Sequence, residues 1–158
     1  MDEIFKRRSV RKFTDAPVED EAVTQLLKAA MRAPSAGDEQ PWEFIVLRDR
    51  ETMIQVIDFH AYASMLRHAP CAIVVCGDVE KQRFEDDYWV QDCAAATENL
   101  LLEAVHLGLG AVWMALYPVK ERVAGAKALF GITAVAIGVT LVLGLVIRRQ
   151  YMRLLGKS

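Results

Sequence analysis

Cys71-Ala72-Ile73-Val74-Val75-Cys76 is an unbroken run of six apolar residues, closed by Gly77-Asp78. A run this short has strand length, and a strand that is apolar on both sides must be covered on both faces. This segment therefore calls for a sheet placed between layers, and the rest of the chain supplies candidates for them. Helical spacing runs over residues 19–33, with Ala22, Val23, Leu26, Leu27, Ala30 and Met31 on one face and Pro34 as the stop. Residues 42–47 read as a strand. Asp49 can cap a helix reaching about residue 66, with Met53, Ile54, Ile57 and Tyr62 inward. Residues 86–107 predict the longest helix, nearly all-round apolar near Leu100-Leu101-Leu102-Glu103-Ala104-Val105, with Asp86-Asp87 as an acid-rich N-terminus. Gly108-Leu109-Gly110 can stop it. A strand over 111–116, a helix over 119–130 and a strand over 135–146 follow. Strands alternate with helices, which implies an α/β sandwich with helices flanking a central sheet, in one domain over residues 1–158.

The run at 128–147 has twenty residues without a charge, followed by Arg148-Arg149. By length and flanking charge it meets the crude criterion for a membrane span. Gly131, Gly138 and Gly144 interrupt it, however, and its centre is rich in Val, Ile and Thr. Those residues favour the end of a helix followed by a buried strand. The N-terminus lacks the apolar stretch of a secretory signal. Cys71, Cys76 and Cys93 form no CxxC pair and are odd in number, as buried thiols of a cytoplasmic protein would be. His60, His68 and His106 have no zinc-ligand spacing, and no metal is expected.

Net charge is only −2 over 158 residues, and the mild acidity argues against a nucleic-acid surface spread over the fold. Against that background Lys6-Arg7-Arg8-Ser9-Val10-Arg11-Lys12 is a local concentration of five cations around a hydroxyl. In an extended segment Arg7, Ser9 and Arg11 would share one side, with Arg8 and Lys12 turned away. Two guanidinium groups and a hydroxyl suit a phosphate or the polar edge of a cofactor; a solvated arm is the plain alternative. A second polar element is the loop Ala33-Pro34-Ser35-Ala36-Gly37-Asp38-Glu39-Gln40-Pro41-Trp42. Its prolines and glycine fix a shape, and Ser35, Asp38 and Gln40 carry hydrogen-bonding groups. The alternative is an ordinary connection ending in a buried Trp42.

Taken together, Arg7-Arg8-Ser9-Val10-Arg11-Lys12-Phe13, the Pro34-Ser35 to Gln40-Pro41-Trp42-x-Phe44 segment and the block from Glu98-Asn99 through Gly108-Leu109-Gly110 to Trp113 resemble the FMN-dependent nitroreductase family. The likeness covers roughly residues 3 to 132. It implies an α+β nitroreductase-like fold with a central mixed sheet, and a cytoplasmic homodimer with FMN at the subunit interface. Arg7, Ser9 and Arg11 match positions that hold the flavin phosphate, ribityl chain and pyrimidine edge, and Arg8 is the neighbour that often joins them. Pro34, Ser35 and Ala36 match the loop reaching the flavin from the other subunit, with Asp38 and Gln40 in the same loop. Gly108, Leu109 and Gly110 match the approach to the strand running along the flavin.

The implied reaction is ping-pong: NADH or NADPH reduces FMN, and an acceptor such as a nitroaromatic or quinone takes the electrons. The cofactor supplies the hard step, so no catalytic side chain is expected. A fixed cation at Arg11 would stabilise reduced flavin. Aromatic Tyr62, Tyr88 and Trp89 are candidates to stack on an acceptor or to join the core. Asp38 stands where the family usually has Asn, and its carboxylate would lower the flavin potential. Ala115 replaces a Glu of some members. Residues 133–158 depart most: Leu145-Val146-Ile147 replaces a Gly-Tyr-Pro-like turn, and Arg148 or Arg149 is a substitute for the phosphate cation of the family's tail. Alternatives to the enzyme are a flavin-binding module impaired in turnover and a variant associated with a membrane through its C-terminus.

Overall fold

The computed structural model describes residues 2–84, 87–132 and 136–145. Four strands form one sheet: β1 (Trp42–Leu47), β2 (Cys71–Gly77), β3 (Leu109–Ala115) and β4 (Ala136–Leu145). Their order across the sheet is β1-β2-β4-β3. The three ladders are antiparallel, with Phe44 opposite Val75, Val74 opposite Thr140 and Ala111 opposite Leu143. A parallel bridge from Ser9 to Ala111 on the outer side of β3 makes the sheet mixed.

Every residue of β2 is buried, and the parity of that strand sorts the core into two halves. Cys71, Ile73 and Val75 pack with Leu26 and Ala30 of α2 (Asp20–Ala30) and with Trp89 and Leu100 of α4 (Trp89–His106). Ala72, Val74 and Cys76 pack with Met53 and Val56 of α3 (Arg50–Phe59) and Ala126 of α5 (Lys120–Phe130). Full burial of a side chain such as Ile73 or Val74 contributes about 1.5–3 kcal/mol, so a strand buried on both sides anchors both layers at once. A short helix α1 (Asp2–Lys6) lies against α4. The three cysteines are free and buried.

Close packing fixes where α4 begins. A Cβ built on Gly77 would meet Trp89 Cε3 at 2.4 Å, so the indole lies directly on the end of β2. The helix therefore starts at Trp89 and not at residue 86; Asp87 Oδ1 accepts a hydrogen bond from the Trp89 indole at 3.3 Å. Asp86 lies outside the described residues. Trp89 is 3 % exposed and meets Tyr117 edge to face, which assigns it to the core.

Asp49 caps α3 as the sequence predicts, accepting from Thr52 N at 2.7 Å. The helix ends at Phe59, however, well before residue 66. His60 is buried, with Nε2 on Ala115 O at 3.1 Å and Nδ1 accepting from Tyr62 N at 3.3 Å. These contacts hold the chain extended at His60, and helix resumes only as a 3-10 turn at Ser64–Arg67. Tyr62, expected inward, is 74 % exposed.

Gly108, at φ 72°, is the left-handed stop after α4, and β3 begins at once with Leu109 and Gly110, ahead of the expected residue 111. The uncharged run at 128–147 divides into the end of α5, closed by Gly131 at φ 65°, and β4 between β2 and β3. Among the described residues no helix is long and apolar enough to cross a membrane. Val146, Ile147, Arg148 and Arg149 lie outside the described residues.

Candidate functional site

The basic arm leaves α1 and joins the free edge of β3. Val10 N donates to Ala111 O at 2.9 Å, in line with the Ser9–Ala111 bridge. Val10 is buried while Ser9 and Arg11 on either side of it are exposed, so the alternation expected of an extended segment holds for these three. Arg11 makes no hydrogen bond or ion pair among the described residues. Arg7 is half-buried and its Nε lies 3.5 Å from Glu98 Oε1 of α4. Arg8 Nη1 donates to Phe5 O at 2.8 Å and Arg7 O at 2.7 Å, closing the end of α1. The arm thus brings Ser9, Arg11 and the Gly108-Leu109-Gly110 segment to one sheet edge. A Cβ on Gly108 would meet nothing within 4 Å, which leaves open space beside that edge.

The Pro34–Gln40 loop is built differently. Gly37, Asp38 and Gln40 all have left-handed backbone, at φ 54°, 55° and 47°. Glycine takes this conformation freely and Asp tolerates it, but Gln does so at a cost. Local bonds hold the shape: Asp38 N donates to Ser35 O at 3.2 Å, Gln40 N to Ser35 Oγ at 3.0 Å, and Gln40 Nε2 to Asp38 Oδ1 at 2.8 Å. The Asp38 carboxylate is thereby engaged inside its own loop. Trp42, just beyond, is buried.

Two acids that spacing alone did not single out are buried here, Asp92 beneath the loop and Glu39 within it. Asp92 on α4 accepts from Ala36 N at 3.1 Å, and Glu39 accepts from Arg83 N. Both are at least nine-tenths buried, at 6 % and 9 % exposure. Burial pushes the Asp92 carboxyl above its usual range and the Glu39 charge adds to this, against the Ala36 N–H. One signal for Asp92 was present: an acid within a helix whose apolar surface is nearly all-round. A cleft of about 460 Å³ opens along the loop, lined by Pro34, Ser35, Ala36, Tyr88, Gln91 and Asp92.

Within one chain, arm and loop use different parts of α4. The arm reaches Glu98 and the loop Asp92, about 9 Å apart by helix rise. Ile4, Phe5 and Met31 stand exposed on α1 and beside α2, next to a cleft of about 490 Å³ that Ile4, Ala29, Asn99 and His106 line.

The sequence model of the Nitroreductase family matches residues 4–61 and 59–145. The chain belongs to the nitroreductase family. A relative from Archaeoglobus fulgidus, described as an NADH dehydrogenase/NAD(P)H nitroreductase, is 50 % identical over 129 residues, 82 % of this chain and 74 % of its own. A crystal structure described as an NADH oxidase from Clostridium acetobutylicum superposes with TM-score 0.89 at 45 % identity, covering 92 % of this chain and 88 % of that one. A nitroreductase from Desulfovibrio desulfuricans, solved in complex with FMN, superposes with TM-score 0.80 at 32 % identity, covering 90 % and 83 %.

Proposed function

We propose that this nitroreductase-family chain is an NAD(P)H-dependent oxidoreductase that holds FMN between two copies of itself and passes two electrons to a small acceptor such as a nitroaromatic or quinone. The observation that carries this reading is the edge of β3, where the arm pairs at Ser9–Ala111 and leaves Ser9 exposed and Arg11 uncommitted, on the strand that Gly108 opens with no neighbour over its Cα. The donor set suits the cofactor: guanidinium groups match a phosphate or an anionic ring edge, and a glycine lets a planar group approach the backbone. The FMN-bound relative supports the choice of flavin, and the names of relatives support a nicotinamide donor.

When bound, FMN would supply the two-electron chemistry, accepting from the nicotinamide and giving to the acceptor. Arg7 and Arg8 would hold the phosphate end, exchanging their present contacts with Glu98 and with backbone carbonyls for the ligand. Arg11 would place a fixed positive charge where reduction adds electrons, stabilising the reduced form. Ser9 would hydrogen-bond the ribityl chain, and Leu109 and Gly110 would lie along the ring. Pro34, Ser35 and Ala36 would close the site from the second copy, with Asp38 and Gln40 holding that loop in shape. The exposed Ile4, Phe5 and Met31 support a homodimer.

The visible spectrum of the purified protein tests the proposal. A yellow preparation, or one reconstituted with FMN, should bleach on addition of NADH or NADPH and recover with a quinone. Colour that persists with both donors would leave only flavin binding. Failure to retain FMN at all would overturn the assignment.

A further inference from the structure

Ala115 ends β3, which is an edge of the sheet. Ala111 O leaves that edge toward Val10 N at 2.9 Å. Backbone groups of the same parity leave the same side of a strand, so Ala115 O also points outward, further along than the Ser9 bridge. Two side chains take it in place of a strand. His60 Nε2 lies at 3.1 Å and Arg122 Nη1 donates at 3.0 Å; a carbonyl oxygen has two lone pairs, so both bonds form together. One donor follows α3 and the other stands in the first turn of α5, so the end of β3 is tied to the layer that covers one face of the sheet.

The partners dictate the state of His60. A carbonyl only accepts, so Nε2 carries the proton; the Tyr62 N–H only donates, so Nδ1, 3.3 Å from it, is bare. The side chain is buried, and burial first and the Arg122 charge second hold its pKa below the ordinary histidine value, against the bond to Ala115. Arg122 closes the arrangement. Its guanidinium carbon lies 5.8 Å from the centroid of the Tyr62 ring, which meets His60 edge to face at 6.4 Å. Helix stability does not account for Arg122, because a cation in the first turn of α5 opposes the helix dipole. Its bond to Ala115 O does.

We propose that His60, as the neutral Nε2–H tautomer, and Arg122 are positioning residues for the flavin-bearing strand, and that they act by holding the Ala115 carbonyl. Neither belongs to the groups assigned to the cofactor. Without them the last residues of an edge strand open locally, and the surface offered to the flavin loses its shape at that end. The inference rests on the reading of β3 as the strand along which FMN lies.

Two variants separate the ring nitrogens. His60→Gln puts an amide N–H where the imidazole Nε2–H donates, which keeps the bond to Ala115 O and loses the acceptor for Tyr62 N. His60→Asn puts an oxygen where Nδ1 accepts, which keeps the Tyr62 bond and falls short of Ala115. Both shorten a buried side chain, and a histidine that only filled space would make them equally damaging. Fluorescence titration of FMN should show His60→Gln binding close to wild type and His60→Asn binding about 2- to 10-fold more weakly, the worth of one hydrogen bond. Arg122→Met removes the second donor from a half-buried side chain and should weaken binding by a similar factor with little change in melting temperature. Equal losses in the two His60 variants, or an Arg122→Met protein that binds as wild type does, would overturn the proposal.

NMR of the flavin-free protein supplies independent readouts. Nitrogen-15 shifts of the wild-type imidazole at neutral pH should show a proton on Nε2 and none on Nδ1; a charged ring, or the proton on Nδ1, would refute the assigned tautomer. Amide exchange over residues 113–116 should be faster in His60→Asn and Arg122→Met than in wild type and His60→Gln, with β2 unchanged. Exchange that is equal in all four proteins would refute the hold on Ala115. If none of them binds FMN, the cofactor assignment fails, while the tautomer and the exchange rates still decide the role of His60 and Arg122.

Discussion

In the proposed flavin site, the arm at Arg7–Arg11 and the loop at Pro34–Gln40 would act by opposite means. The arm is cationic, sits on an exposed strand edge and is tied to the fold mainly through backbone, by Val10 N on Ala111 O and the buried Val10 side chain. Of its arginines, Arg7 pairs with Glu98 and Arg8 with backbone carbonyls, and Arg11 is left to meet a ligand. The loop is held by Asp92 from below, with Gly37, Asp38 and Gln40 in left-handed conformation and its polar groups bonded to one another. Its side chains are spent on shape. A chain that separates the groups that bind from the groups that hold can alter affinity on the arm without disturbing the fold. Changes in the loop act on both.

Substitutions can break this contrast in order of effect. Arg11→Ala should raise the FMN dissociation constant about 10- to 100-fold, the loss of a charged hydrogen bond worth about 1.5–3 kcal/mol, with an unchanged melting temperature; a matching loss of stability would show that the arm is structural. Gly37→Ala should reverse the pattern. Its φ of 54° disfavours any side chain, and a Cβ there would meet Phe84 Cε2 at 2.9 Å. Denaturant unfolding should show a loss of about 1 kcal/mol, with weaker FMN binding as a consequence; unchanged stability would mean that the loop bears no strain. Smallest of all, Glu98→Gln removes a half-exposed ion pair with Arg7. It should cost at most about 1 kcal/mol at low salt and nothing measurable at high salt. A larger, salt-independent loss would make Arg7 part of the scaffold.

What the sequence made legible follows the same division. Strand β2 was readable because its six apolar residues allow one solution, burial on both faces, and its parity then divides the core. Gly131 and the β-branched residues after it separated a helix end from a strand where hydropathy alone suggested a membrane span. The arm was readable because a cluster of cations in a chain of near-zero net charge is a local property. Residues 49–66 were overextended because the contacts that stop α3 come from Ala115 and Tyr62 to His60, and no helical period encodes a tertiary hydrogen bond. Glu39 was illegible, and the one signal at Asp92 went unread, for a related reason: an acid reads as solvent-facing until the packing around it is known.

Gly77 carries a consequence for how this site tolerates change. The missing methyl lets the Trp89 ring rest on the sheet's end, and Asp92 follows three residues later, just under one helical turn beyond it. The depth of that indole therefore sets the height of the carboxylate under Ala36. A methyl added at Gly77 would lift the first turn of α4 and tilt the floor of the loop. The shape of the loop can thus drift through a glycine outside the proposed site residues.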